Sequence, residues 1–160
     1  MFTGDELTAA LVGCGVSHVV WLPDSTLGTW ESSLTSSRQL NLVRVCREAE
    51  AWGVAAGLHL GGQHPVVMIQ CTGLFDSGDA LRNFIYDFEL PLFAIIGYRN
   101  YLLADSRDSA RTFTEPQVCL WNLDYRLIER RDQLPVLTSH YVACRTANRP
   151  GAVLIGEGRL

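Results

Sequence analysis

Arg47-Glu48-Ala49-Glu50-Ala51-Trp52-Gly53-Val54-Ala55-Ala56-Gly57-Leu58-His59-Leu60-Gly61-Gly62 reads as one helix. It carries two carboxylates in its first turn, small residues along its body and a glycine pair where it stops. The apolar run Leu40 to Cys46 precedes it, and Pro65-Val66-Val67-Met68-Ile69-Gln70-Cys71 follows. Apolar runs on either side of a helix are the pattern of parallel strands joined by a crossover. Ala51, Gly53, Ala55 and Ala56 keep the helix surface low, which lets another backbone come close. Glu48 and Glu50 are two positions apart and point in different directions, so they do not make a paired-carboxylate site. Two arrangements remain open: one glutamate turned inward beside an ordinary first-turn acid, or both in solvent.

Outward from this helix the same alternation holds. Toward the N-terminus, His18-Val19-Val20-Trp21-Leu22 is a buried strand, and Pro23-Asp24-Ser25 turns the chain after it. Asp24 and Ser25 therefore fall just past a strand's carboxyl end, where open α/β sheets hold their ligands; an Asx turn is the plain alternative. Before that strand, Thr3-Gly4-Asp5-Glu6 has capping-box spacing and opens a helix with Leu7, Ala10, Leu11 and Cys14 on one face. Leu27 to Leu34 is a short helix, followed by a polar loop at Thr35-Ser36-Ser37.

Toward the C-terminus, the strand Val66 to Gln70 runs into Cys71-Thr72-Gly73-Leu74-Phe75-Asp76-Ser77-Gly78-Asp79. This stretch reads as a polar, glycine-containing loop before a helix over Ala80 to Phe88, placed to offer backbone N–H groups to an anion or a polar ring. Pro91 to Ile96 is a fourth strand ended by Gly97. Tyr98 to Glu115 is polar, with Arg99, Arg107 and Arg111 among its charges, and is long enough to read as a functional loop or lid. Pro116 opens a helix through Leu123, Tyr125 to Ile128 is a short strand, Gln133 to Ala147 a helix, and Ala152 to Ile155 the last strand. The whole predicts an α/β fold, a three-layer α/β/α arrangement around a parallel sheet, as a single domain over residues 1–160.

Composition narrows the chemistry. The net charge of −4 gives no basic face for nucleic acid. All 13 basic residues other than histidine are arginine, which excludes a Schiff-base or phosphate-loop lysine within the chain. No apolar stretch reaches membrane-spanning length and no signal-peptide pattern opens the chain, so a cytoplasmic protein with no membrane association is expected. Five scattered cysteines without a CxxC pair read as small buried residues in a reducing compartment. His18, His59, His64 and His140 share no metal-ligand spacing, so no metal site is expected from this chain. GxGxxG, GxxxxGK[ST] and GxSxG are all absent. Asp24, Ser25, Glu48, Thr72, Asp76 and Arg99 remain as a candidate ligand rim near strand ends, which names no reaction.

Four segments carry a more specific likeness. Glu48 with Ala55-Ala56-Gly57, then Pro65 to Leu74, with Leu22-Pro23-Asp24-Ser25 before and Ile96-Gly97-Tyr98-Arg99 after, resembles the pyrimidine-binding domain of thiamine-diphosphate-dependent 2-oxoacid decarboxylases. The sulfopyruvate and phosphonopyruvate decarboxylases are the members it resembles most. The resemblance implies an alpha subunit of a two-subunit decarboxylase that converts an anionic 2-oxoacid to the aldehyde and carbon dioxide. Glu48 would be the catalytic glutamate on the cofactor's aminopyrimidine; Gln70, Thr72, Gly73 and Leu74 would line the pyrimidine pocket; Asp24, Ser25 and Arg99 would face the substrate.

This chain departs from the family at Cys71-Thr72 and Phe75-Asp76, where the family commonly has asparagine-serine and glycine-asparagine pairs. The family's GDG motif for diphosphate and Mg2+ is absent, so a beta subunit would supply that domain, in a heterotetramer or larger assembly. Two alternatives stand beside this one. They are a component of a thiamine-diphosphate carboligase or synthase, and a non-catalytic interaction protein on the same fold.

Overall fold

The apolar runs become the strands of one sheet. The computed structural model describes residues 1–25 and 27–158. Among them, β1 (His18–Trp21), β2 (Asn41–Arg44), β3 (Pro65–Gln70), β4 (Phe93–Tyr98), β5 (Asp124–Ile128) and β6 (Gly151–Gly156) pair in the order β2-β1-β3-β4-β6-β5. Every pairing is parallel. Helices cover both faces, as an all-parallel sheet requires: the expected three-layer α/β/α architecture.

Strand alternation sorts the core into two halves. Val67, Ile69, Ala94, Ile96, Ala152 and Leu154 point to one face, against α3 (Glu48–Leu60), α4 (Cys71–Asp76), α5 (Gly78–Leu81) and α6 (Ser109–Leu120). Val66, Met68, Phe93, Ile95, Val153 and Ile155 point to the other, against α1 (Gly4–Gly13), α2 (Glu31–Ser36) and α7 (Leu134–Thr146). At the start of α1, Thr3 and Glu6 form the capping box read from their spacing: the Thr3 hydroxyl accepts from the Glu6 N–H at 3.2 Å and Glu6 accepts from the Thr3 N–H at 2.8 Å.

The structure corrects several local readings. The segment after β3 is helical from Cys71 onward, and α5 continues as a π-helical turn over Arg82–Asp87. Gly97 lies within β4 and is paired with Gln70 and Ile155. The polar connection after β4 is shorter than expected because α6 starts at Ser109, where the Asp108 carboxylate accepts the Ala110 N–H at 3.0 Å. Pro116 consequently lies inside α6 instead of opening it, and the helix ends at Leu120. The small residues of α3 serve the chain's own packing. Ala51, Ala55 and Ala56 are buried, and a Cβ on Gly53 would meet the Phe84 ring at 3.6 Å.

Candidate active site at the carboxyl edge of the sheet

The strand order reverses at β1, with β2 to one side and β3 to the other. Connections leaving β1 and β3 diverge there, which opens a crevice outside their carboxyl ends. The turn Leu22 to Ser25 follows β1, the head of α3 follows β2 and α4 follows β3, so the elements carrying most of the sequence's candidates share this edge.

Glu48 is the first residue of α3 and is half-buried. Its carboxyl group rests on the backbone at Gly73 in the first turn of α4: a Cβ on Gly73 would fall on the Glu48 side chain, 2.6 Å from Oε1. Only glycine admits the carboxylate in that position. Glu50 behaves differently, being exposed and accepting the Cys46 N–H at 3.0 Å. The geometry therefore decides between the two open arrangements: Glu48 faces the neighbouring helix and Glu50 caps its own.

Beside this contact, the Thr72 hydroxyl donates to Gln70 Oε1 at 3.1 Å, so these two side chains act as a unit. Leu74 is fully buried. Asp24 Oδ1 accepts the Leu27 N–H at 2.8 Å, three residues on, which caps the short 3-10 turn starting at Leu27, and Ser25 is exposed. Arg99 donates through Nε to Asp108 at 2.9 Å, and Asn100 donates to the same carboxylate oxygen at 2.9 Å. The Ala110 N–H, then the Asn100 amide and the Arg99 charge, hold the Asp108 carboxyl below the usual range. Asp76 is bound by Arg47 at 3.1 Å to each oxygen, so its charge is balanced at the surface.

One acid at this edge escaped the sequence reading. Glu157, just past β6, is 2% exposed, and a Cβ on Gly97 would fall on its carboxylate. Its main chain ties two elements, donating to the Tyr98 carbonyl at 3.1 Å and accepting from Leu102 at 2.9 Å. The available signal was an acid between glycines, Gly156-Glu157-Gly158, ending the last apolar run. Nearby, Cys71 is fully buried, and burial pushes its thiol up, which keeps it protonated and unreactive.

A phenol and carboxylate network fixes the wall behind β4. Tyr98 donates to the Arg111 carbonyl at 2.8 Å and lies 3.3 Å from Glu115 Oε1, while Tyr125 donates to Glu115 Oε2 at 2.6 Å. Burial, then the Glu115 charge, pushes Tyr98 up to about 12. The Glu115 hydrogen bond, then burial, does the same for Tyr125, to about 12.

Asp124, His140 and Cys144 also converge, with ligand atoms within 4.8 Å of one another. Their donors and acceptors are engaged within the protein. Arg126 and Arg149 bind the two Asp124 oxygens at 2.7 and 2.6 Å, and His140 Nε2 donates to the Asp124 carbonyl at 2.8 Å. The cluster reads as structural.

No protein-family model matches the chain. It is similar to the protein named sulfopyruvate decarboxylase subunit alpha of Methanococcus maripaludis, 28% identical over 102 residues, covering 64% of this chain and 61% of the relative. It is also similar to phosphonopyruvate decarboxylase of Streptomyces hygroscopicus, 30% identical over 99 residues, covering 62% of this chain and 25% of the relative. The match thus spans about three fifths of the alpha subunit's length and a quarter of the longer enzyme's. In fold, the chain matches benzoylformate decarboxylase from Polynucleobacter necessarius with a TM-score of 0.72 and 21% identity, over 98% of this chain and 30% of that one. In sequence the chain is thus similar to proteins named sulfopyruvate and phosphonopyruvate decarboxylase, and in fold to part of benzoylformate decarboxylase.

Proposed function

We propose that the chain is the pyrimidine-binding alpha subunit of a two-subunit thiamine-diphosphate-dependent decarboxylase, a single domain working in the cytoplasm on an anionic 2-oxoacid. The observation that carries this reading is the Glu48 carboxylate held against the side-chain-free backbone at Gly73. A flat aminopyrimidine needs a carboxylate at a ring nitrogen, and the missing side chain at Gly73 is what lets Glu48 lie against the head of α4 to offer one. The donor set therefore fits the cofactor. Names of relatives support the rest: the alpha-subunit match favours a separate beta subunit, and both relatives are named for decarboxylation of an acid with a second anionic group.

In this reading each residue has a distinct task. Glu48 hydrogen-bonds a ring nitrogen of the aminopyrimidine and shares a proton with it. The Gln70–Thr72 pair and the backbone of Gly73 and Leu74 orient the ring from the β3 side. When bound, the cofactor supplies the nucleophilic carbon and the electron sink of decarboxylation. Asp24 and Ser25 face the reacting end of the substrate, and Arg99 takes the oxygens of its anionic head group in pairs. Arg99 is itself half-exposed, and Asp108 keeps the Asn100 amide and the Ala110 N–H when Arg99 turns away. The beta subunit holds the diphosphate and its Mg2+.

The test is co-purification with the product of the neighbouring gene. Carbon dioxide release from sulfopyruvate, phosphonopyruvate and pyruvate is then measured with thiamine diphosphate and Mg2+. Release that requires both proteins and falls about 10²- to 10⁴-fold in Glu48→Gln, with the complex intact, is the expected result. Full activity in Glu48→Gln, or a stable complex that turns over none of the three acids, refutes the proposal.

A further inference from the structure

At the opposite edge of the sheet lies a cavity of ≈ 190 Å³, room for about six waters at the volume each takes in the liquid. Pro65 and Phe93, the first residues of β3 and β4, form its floor. It is separated from the candidate active site by the length of those strands, about 17 Å at the rise of an extended chain. Its polar wall is basic. His59 comes from the end of α3, His64 from the turn before β3, and Arg145 from the last turn of α7; the other lining residues are apolar or neutral, with Tyr141, Cys144 and Asn148 among them, and none is a carboxylate.

Arg145 and His64 are in direct contact, Nη2 to Nε2 at 2.6 Å. A guanidinium only donates, so Nε2 accepts and His64 is neutral in this arrangement. The backbone holds His64 rigidly in place, its N–H donating to the Ser17 hydroxyl at 2.9 Å and its carbonyl accepting the Ser17 N–H at 2.9 Å. Burial, then the Arg145 charge, then His59, holds the His64 imidazole below its ordinary value. The exposed Arg145 guanidinium sets a positive field at this cavity, with two imidazoles beside it and no carboxylate among the described residues that line it. That field is relieved by an anion between them.

We propose that this cavity binds a small oxyanion, of the phosphate, phosphonate or sulfonate class, between Arg145, His64 and His59. Arg145 presents its fork to two oxygens, and His64 turns from acceptor to donor by taking a proton as the anion enters. For an anion of constant charge, binding therefore tightens as pH falls toward the lowered range of the unbound His64 imidazole. The site goes beyond the proposed decarboxylase reading and is independent of it, since neither cofactor nor turnover is needed to observe it.

The experiment is calorimetric titration of the full chain with inorganic phosphate, methylphosphonate and methanesulfonate against choline chloride at matched ionic strength. Histidine ring resonances are followed in parallel. The expected result is saturable binding of at least one oxyanion, and for methanesulfonate, whose charge is constant over this range, binding tighter near pH 6 than near pH 8. It should move the His59 and His64 resonances more than those of His140, which touches the lining residue Cys144, and His18, which touches Ser17 beside His64. Arg145→Gln, a surface change, should weaken binding about tenfold, and His64→Gln should abolish the pH dependence. The unmodified chain alone decides the matter: binding no stronger than chloride, or resonance shifts smaller at His59 and His64 than at His18 and His140, overturns the proposal, as does unchanged affinity in a folded Arg145→Gln protein.

Discussion

Gly73→Ala is the sharpest perturbation of the candidate active site, because the structure sets its effects on folding and on chemistry far apart. The new methyl group would fall on the Glu48 side chain, 2.6 Å from Oε1. Glu48 is half-buried and can swing toward solvent, at about 0.5–1.5 kcal/mol for an off-rotamer side chain. Alanine in a helix returns about 0.5–1 kcal/mol over glycine. The two nearly cancel, so Tm should move by no more than about 4 °C. Turnover by the assembled enzyme should nonetheless fall about 10²- to 10⁴-fold, the loss expected when a proton-handling group leaves its position. Gly73→Ala combined with Glu48→Gln should be no slower than Glu48→Gln alone, since both remove the same contact. Calorimetric melting together with carbon dioxide release in single and double variants makes the measurement. Activity within about threefold of the parent in a folded Gly73→Ala protein would refute the reasoning.

Tyr98 and Tyr125, both pushed up to about 12, should ionise well above free tyrosine in a spectrophotometric titration. Above pH 10 the unfolded chain gives up these phenolic protons while the folded one keeps them. Stability from this network is therefore complete below about pH 10 and lost on the way to about 12; Glu115→Gln should lower the Tyr125 value. Gly151→Ala should cost about 1–3 kcal/mol in urea unfolding, because its Cβ would meet Cys144 Sγ and lie 3.2 Å from the Asp124 carbonyl; Cys144→Ala in the same chain should recover part of the loss. Arg47→Ala should cost less than about 1 kcal/mol, since its pair with Asp76 has 71% and 44% exposed side chains, and a larger loss would show that the pair supports α4.

The layers of the fold were legible because strands buried on both faces must be apolar throughout, and Val66 to Ile69 and Ala152 to Ile155 admit no other arrangement. Position alone did not separate Glu48 from Glu50; the resemblance singled out Glu48, and the contact with Gly73 is what sets the two apart in the structure. What resisted reading depended on contacts between distant segments. Cys71 to Asp76 has the composition of a loop, yet Cys71 and Leu74 are fully buried and hold it as a helix. Pro116 looks like a helix start, and only the Asp108 cap moves that start seven residues earlier. Gly53 suggested room for a partner, and Phe84, thirty-one positions away, fills it. Glu157 is one acid among many until Gly97 is seen beside it.

The connection between β4 and α6 reads as a mobile lid by length and polarity, but the folded chain grips it throughout. Arg99 and Asn100 hold Asp108, Arg111 donates to the carbonyls of Leu103 and Ala104 at 2.8 and 3.0 Å, and Leu102 is bound to Glu157. Its ordering entropy is incurred once, at folding, and is not charged again when a ligand arrives. A molecule docking at this edge meets a surface already in shape. Selectivity there rests on fit and charge, with the half-exposed Arg99 side chain free to turn while the backbone that carries it stays in place.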